Sequence, residues 1–140
     1  AGVPYDEDAP LSGLGVYGRS KAAGEQVVRE SGGTIVRTAW LYAPGGRNFV
    51  STILRLASGG GPLRVVDDQI GQPTYAADVA DLLAALIERG TPAGAFHATN
   101  SGQTSWYGFA SEIVRLWGLP VTVEPVTSSA FPRPAPRPAV

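Results

Sequence analysis

Runs that read as β-strand alternate along this chain with runs that read as helix, and clusters of Gly and Pro separate nearly every pair. That alternation predicts an α/β fold with a partly parallel sheet, because strands joined through helices return in the same direction. Helical composition runs from Tyr17 to about Ser31 and stops at Gly32-Gly33. Thr34–Tyr42 is β-branched and aromatic and is predicted as one buried strand. Asn48 suits a helix N-cap, and Phe49, Val50, Ile53, Leu54 and Ala57 then recur at helical spacing. Leu63–Val66 reads as a short strand and Asp67–Thr74 as a polar loop. Val79, Leu82, Leu83, Leu86 and Ile87 form an apolar stripe on a helix over Asp78–Arg89. A strand at Ala95–Thr99, a helix near Ser105–Trp117 and a strand at Val121–Val126 complete the order. From Thr127 four prolines predict an extended or disordered tail.

Composition removes several functions. A net charge of −1 with scattered Lys and Arg gives no field to gather nucleic acid or an acidic membrane, and neither is expected as a partner. No apolar run approaches the roughly 18–20 residues of a membrane span. Without cysteine there is no disulfide and no thiolate metal site, and one histidine, His97, cannot build a metal site alone; it reads as structural. Ala1–Pro10 lacks a secretory pattern, so a cytoplasmic location is expected. The absence of methionine suggests that Ala1 is not a translation start.

Chemistry is suggested first by Tyr17 and Lys21, four residues apart at the start of a helix and so on one face. A phenol with a reference pKa of about 10 exchanges protons sluggishly near neutrality. An ammonium one turn away favours the phenolate, so the pair can pass a proton to a carbonyl oxygen as hydride reaches its carbon. The same spacing also arises on ordinary helix surfaces. Gly13-Leu14-Gly15-Val16-Tyr17-Gly18 spells the dinucleotide fingerprint, but a loop precedes it and Val36–Leu41 holds no acid, so it is not taken as a phosphate site.

The stretch from Val16 to Glu25 resembles the active-site helix of extended short-chain dehydrogenases/reductases. Downstream, Arg37–Tyr42, Asn48-Phe49, Asp68–Thr74 and Thr104–Tyr107 stand in the order seen in dTDP-4-dehydrorhamnose reductases, and the likeness runs from residue 4 to residue 139. It implies the carboxy-terminal part of a Rossmann-like NAD(P)-binding fold plus a small α/β substrate-binding region. The implied division is 1–47 for the catalytic helix and strand, 48–126 for the substrate-binding region with remaining Rossmann-like elements, and 127–140 for the tail.

The implied activity is reduction of the 4-keto group of a dTDP-linked 6-deoxyhexose with NADPH (or NADH). Tyr17 would be the acid, and Lys21 would also hold the nicotinamide ribose. Trp40 would face the sugar, or else pack at a strand end; Asn48 would lie near substrate, or simply cap its helix. Gln69, Pro73 and Thr74 would shape a nucleotide loop, or serve its turns. Arg137, or Arg133, would pair with the diphosphate. Trp106 and Tyr107 serve the core or a helix start, and Ala22, Ala23 and Gly24 fit close packing against a neighbour.

The family's Gly-rich phosphate turn and upstream Ser/Thr have no counterpart here, so the chain alone is expected to bind NADPH weakly and turn over little. It is expected to pair with a second copy or with an amino-terminal half. An epimerase or dehydratase of the same superfamily, and a non-catalytic binding subunit, are the alternatives.

Overall fold

The computed structural model describes residues 5–11 and 15–132. The first helix, α1 (Val16–Glu30), ends where Gly32 takes φ 71°, a left-handed conformation that costs glycine little. The expected single strand then breaks in two: β1 (Thr34–Arg37) and β2 (Leu41–Tyr42) flank Trp40, whose φ of 45° cannot continue a strand. Next come α2 (Phe49–Ala57), β3 (Leu63–Val66), β4 (Ile70–Gly71), β5 (Thr74–Tyr75) and α3 (Ala76–Glu88). The chain closes with β6 (Gly94–His97), β7 (Thr104–Ser105), α4 (Trp106–Leu116), β8 (Val123–Val126) and a single 3-10 turn, Ser128–Ala130.

Three ladders are parallel, β1 with β6, β2 with β5 and β3 with β8; β4 pairs antiparallel with β7. The alternation therefore delivers its α/β architecture. Two details depart from the expectation. The loop Asp67–Thr74 contains β4 and the first residue of β5, because Gly71 pairs with Thr104 and Trp40 O accepts from Thr74 N. In the described part of the tail, Ser128–Ala130 forms a 3-10 turn rather than extended chain, and Asp68 accepts hydrogen bonds from Ser128.

The core lies between α2, α4, β3 and β8, built on Ile53, Ala57, Leu63, Val65, Ala110, Ile113 and Val114. Asn48 starts α2 with a reciprocal cap: its side chain accepts from Ser51 N at 3.0 Å and its N–H donates to Ser51 Oγ at 3.0 Å. Ser105 caps α4 by accepting from Gly108 N. By contrast α1 and α3 bury no residue. At Gly24 an added Cβ would meet nothing, so no neighbour packs there among the described residues, against the expectation of close packing.

Candidate active site

Tyr17 and Lys21 stand on the first turns of α1 and both face outward, Tyr17 with 76% of its surface exposed. Lys21 Nζ lies 5.8 Å from the centroid of the Tyr17 ring, within cation–π range. No hydrogen bond joins the two among the described residues. The pair is thus assembled as its spacing predicts, with its polar atoms open rather than engaged with each other.

One hydrogen-bonded fork fixes α1 against β1. Arg37 donates to Glu25 from Nε at 3.0 and 3.2 Å and from Nη2 at 2.7 Å, and a further N–H reaches Glu7 O at 3.2 Å. Both side chains are less than one-fifth exposed. The guanidinium bonds hold the Glu25 carboxyl below its ordinary pKa against a smaller opposing cost of burial, and the Glu25 bonds push Arg37 up. Glu7 also accepts from His97 N at 3.2 Å, which ties the segment before α1 to the end of β6. His97 sits in that strand with its side group exposed, and no cluster able to hold a metal occurs among the described residues.

A surface cavity of about 880 Å³ runs between α2, β3 and the 3-10 turn. Its walls are apolar on the α2 side (Phe49, Ile53, Leu56) and aromatic at Trp106 and Phe131, with Arg64 and Gln69 as polar groups. That mixture suits a small ligand with a flat apolar part and an anionic part. Gln69 is the one loop residue of the sequence-derived set that lies on this groove. Trp40 does not line it; its indole stacks on Trp106 with centroids 3.5 Å apart and planes 12° apart, and Trp106 forms the wall. Thr74 is 1% exposed and donates to Gln72 O at 3.0 Å, so its hydroxyl serves the turn. Pro73 precedes β5 and does not line the groove.

Asn48 spends its side chain on the backbone, donating to Ala43 O at 2.8 Å and Gly45 O at 3.1 Å beside its cap. It borders a second cavity, about 390 Å³, with Tyr42, Tyr75 and Trp117. Arg133 and Arg137 lie outside the described residues. Sequence reasoning missed Arg64, Phe49 and Phe131 as groove residues. Arg64 was legible, since it is the outward position between buried Leu63 and Val65; nothing in the sequence brings Phe131 back to β3.

Compared with known proteins, residues 1–140 match the family described as the RmlD substrate binding domain. The dTDP-4-dehydrorhamnose reductase of Streptomyces griseus is 51% identical over 98% of this chain and 48% of its own length. That of Mycobacterium tuberculosis is 49% identical over 96% of this chain and 44% of its own. The chain thus spans about half the length of the curated relatives it matches. Among solved structures, a dTDP-4-dehydrorhamnose reductase from Clostridium acetobutylicum superposes with a TM-score of 0.92 at 43% identity, covering 99% of this chain and 50% of that one. The Bacillus anthracis reductase in complex with NADP gives 0.89 at 42%, over 96% and 48%. A dTDP-glucose 4,6-dehydratase at 16% identity and TM-score 0.76, over 90% of this chain and 44% of that one, shares the fold alone. The α/β architecture is that of the carboxy-terminal part of these Rossmann-like proteins, and no described helix is long and apolar enough to cross a membrane. The chain belongs to the RmlD substrate binding domain family.

Proposed function

We propose that this chain is the proton-donating and substrate-binding part of an NAD(P)H-dependent reductase acting on the 4-keto group of a dTDP-linked 6-deoxyhexose. The observation that carries the reading is the open Tyr17–Lys21 pair on α1, in a chain sharing about half its residues with reductases of that name. The nicotinamide cofactor, when bound, supplies the hydride to C4. Tyr17 gives its phenolic proton to the carbonyl oxygen, and the Lys21 ammonium stabilises the phenolate left behind. Both side chains are exposed, so a ketone and a ribose can reach their donors. NADPH is the favoured form, as the Bacillus anthracis relative holds NADP.

The nucleotide is assigned to the groove bearing Gln69, Arg64 and Trp106. Trp40 supports Trp106 there, while Asn48, Pro73 and Thr74 hold the backbone around it. Arg137 is assigned to the diphosphate by its match to the family's late Arg-Pro motif. On this reading residues 1–47 carry the acid, 48–126 the substrate region with the remaining sheet elements, and 127–140 the tail.

The test joins this chain to the amino-terminal half of the Streptomyces griseus relative and follows NADPH oxidation with a dTDP-4-keto-6-deoxyhexose. Reduction should occur, and Tyr17→Phe should slow kcat by about 10²–10⁴-fold, the range of a lost general acid. A Tyr17→Phe rate equal to that of the unsubstituted fusion would sink the proposal.

A further inference from the structure

The groove's far wall is supplied by the segment that follows β8. After β8 the chain turns once through Ser128–Ala130 and delivers Phe131 to the groove, where Arg64 lies 6.0 Å from the ring centroid. Among the described residues, Asp68 is the one side chain outside the turn that hydrogen-bonds to it. Both Asp68 oxygens accept from Ser128 N at 2.9 Å, and Oδ2 also accepts from Ser128 Oγ at 2.9 Å. Inside the turn, Ala130 N donates to Thr127 O and Phe131 N to Ser128 O. Phe131 is 43% exposed, so burial alone does not fix it.

We infer that Asp68 is a positioning residue that latches the Ser128–Ala130 turn, so that Phe131 and Arg64 stand as a preformed wall for a pyrimidine nucleoside diphosphate. The ring offers a flat face to a base, and the guanidinium offers a fork to a phosphate. Groove and ligand class rest on the function proposed above; the latch is an addition to it. Its physical effect is pre-organisation: without Asp68 the ligand must itself order the turn and Phe131, and that ordering is subtracted from affinity.

The test uses this chain and dTDP, with binding followed by calorimetry and the turn by amide hydrogen exchange. Asp68→Ala should raise Kd for dTDP about tenfold, and it should speed exchange at Ser128 and Phe131 while Ile113 and Val114 in the core keep their protection. Asp68→Asn, which keeps one acceptor for Ser128 N–H, should recover part of both. Phe131→Ser should weaken dTDP to a similar degree with Asp68 intact. A turn loosened by Asp68→Ala with dTDP affinity unchanged overturns the latch and leaves the proposed function standing, as does an unchanged exchange rate at Ser128. Failure of the unsubstituted chain to bind dTDP overturns the nucleotide assignment and the latch together.

Discussion

Trp40 carries the sharpest conflict between local preference and tertiary structure. A left-handed φ is rare for a bulky residue and costs about 1 kcal/mol or more. Two contacts hold it there. Its ring stacks on Trp106, and its indole lies against Gly71, where an added Cβ would fall 2.4 Å from Cε2. Gly71 is therefore glycine because an indole occupies the place of its side chain. Gly71→Ala must displace that rigid ring, and the expected loss is about 1–3 kcal/mol in urea unfolding, the range of an overpacked core. A change under about 0.5 kcal/mol, the size of an ordinary surface substitution, would show that the ring moves freely. From the sequence, Trp40 could be read as sugar-facing or as strand-end packing. Periodicity could not reveal that it stacks on Trp106, because that contact joins residues distant in the chain.

Among the elements, those that follow a simple period are the ones the sequence predicts well. All four helices appear within a residue or two of their expected bounds, α2 and α4 with a side-chain cap and α1 and α3 without one, so the composition and the flanking glycines and prolines carry the signal. The pairs β4–β7 and β2–β5 are two residues long and depend on partners far along the chain, so no local pattern announces them. The attachment of α1 was also hidden, because it is polar: the Arg37–Glu25 fork does what an apolar stripe does for α2. Its pH dependence follows from the direction of the Glu25 shift. The folded-state pKa lies below the unfolded one, so the stabilisation is full above the unfolded value of about 4.3 and is lost as pH falls through the folded value. Glu25→Gln should therefore cost about 1–2 kcal/mol near pH 7, as expected for charge-assisted hydrogen bonds. The gap to the unsubstituted chain should shrink steadily as pH falls below about 4. Denaturant unfolding across that range checks both statements; a gap constant with pH would mean that the fork contributes shape rather than charge.

At the scale of the whole molecule, burial is uneven. Of the core apolar residues under 9% exposure, all but Ala98 belong to the cluster of α2, β3 and α4. Helix α1, against β1, and helix α3, against β5, instead leave apolar groups in water: Val27 is 66% exposed on α1 and Ile87 76% on α3, with Leu82 and Leu83 at 39% each. Among the described residues β1 has β6 as its one partner, so the ladder also keeps open edges. Covering one such aliphatic side chain is worth about 1.5–3 kcal/mol, and a few together can outweigh part of the cost of association. Concentration-dependent association of this chain is the expected outcome in light scattering. Ile87→Lys should weaken it markedly, yet change folding stability by less than about 0.5 kcal/mol because the position is already in solvent. A particle that stays monomeric at every concentration would mean that these faces tolerate water, and that the alternation of helix and strand suffices to hold the ladder without a further layer.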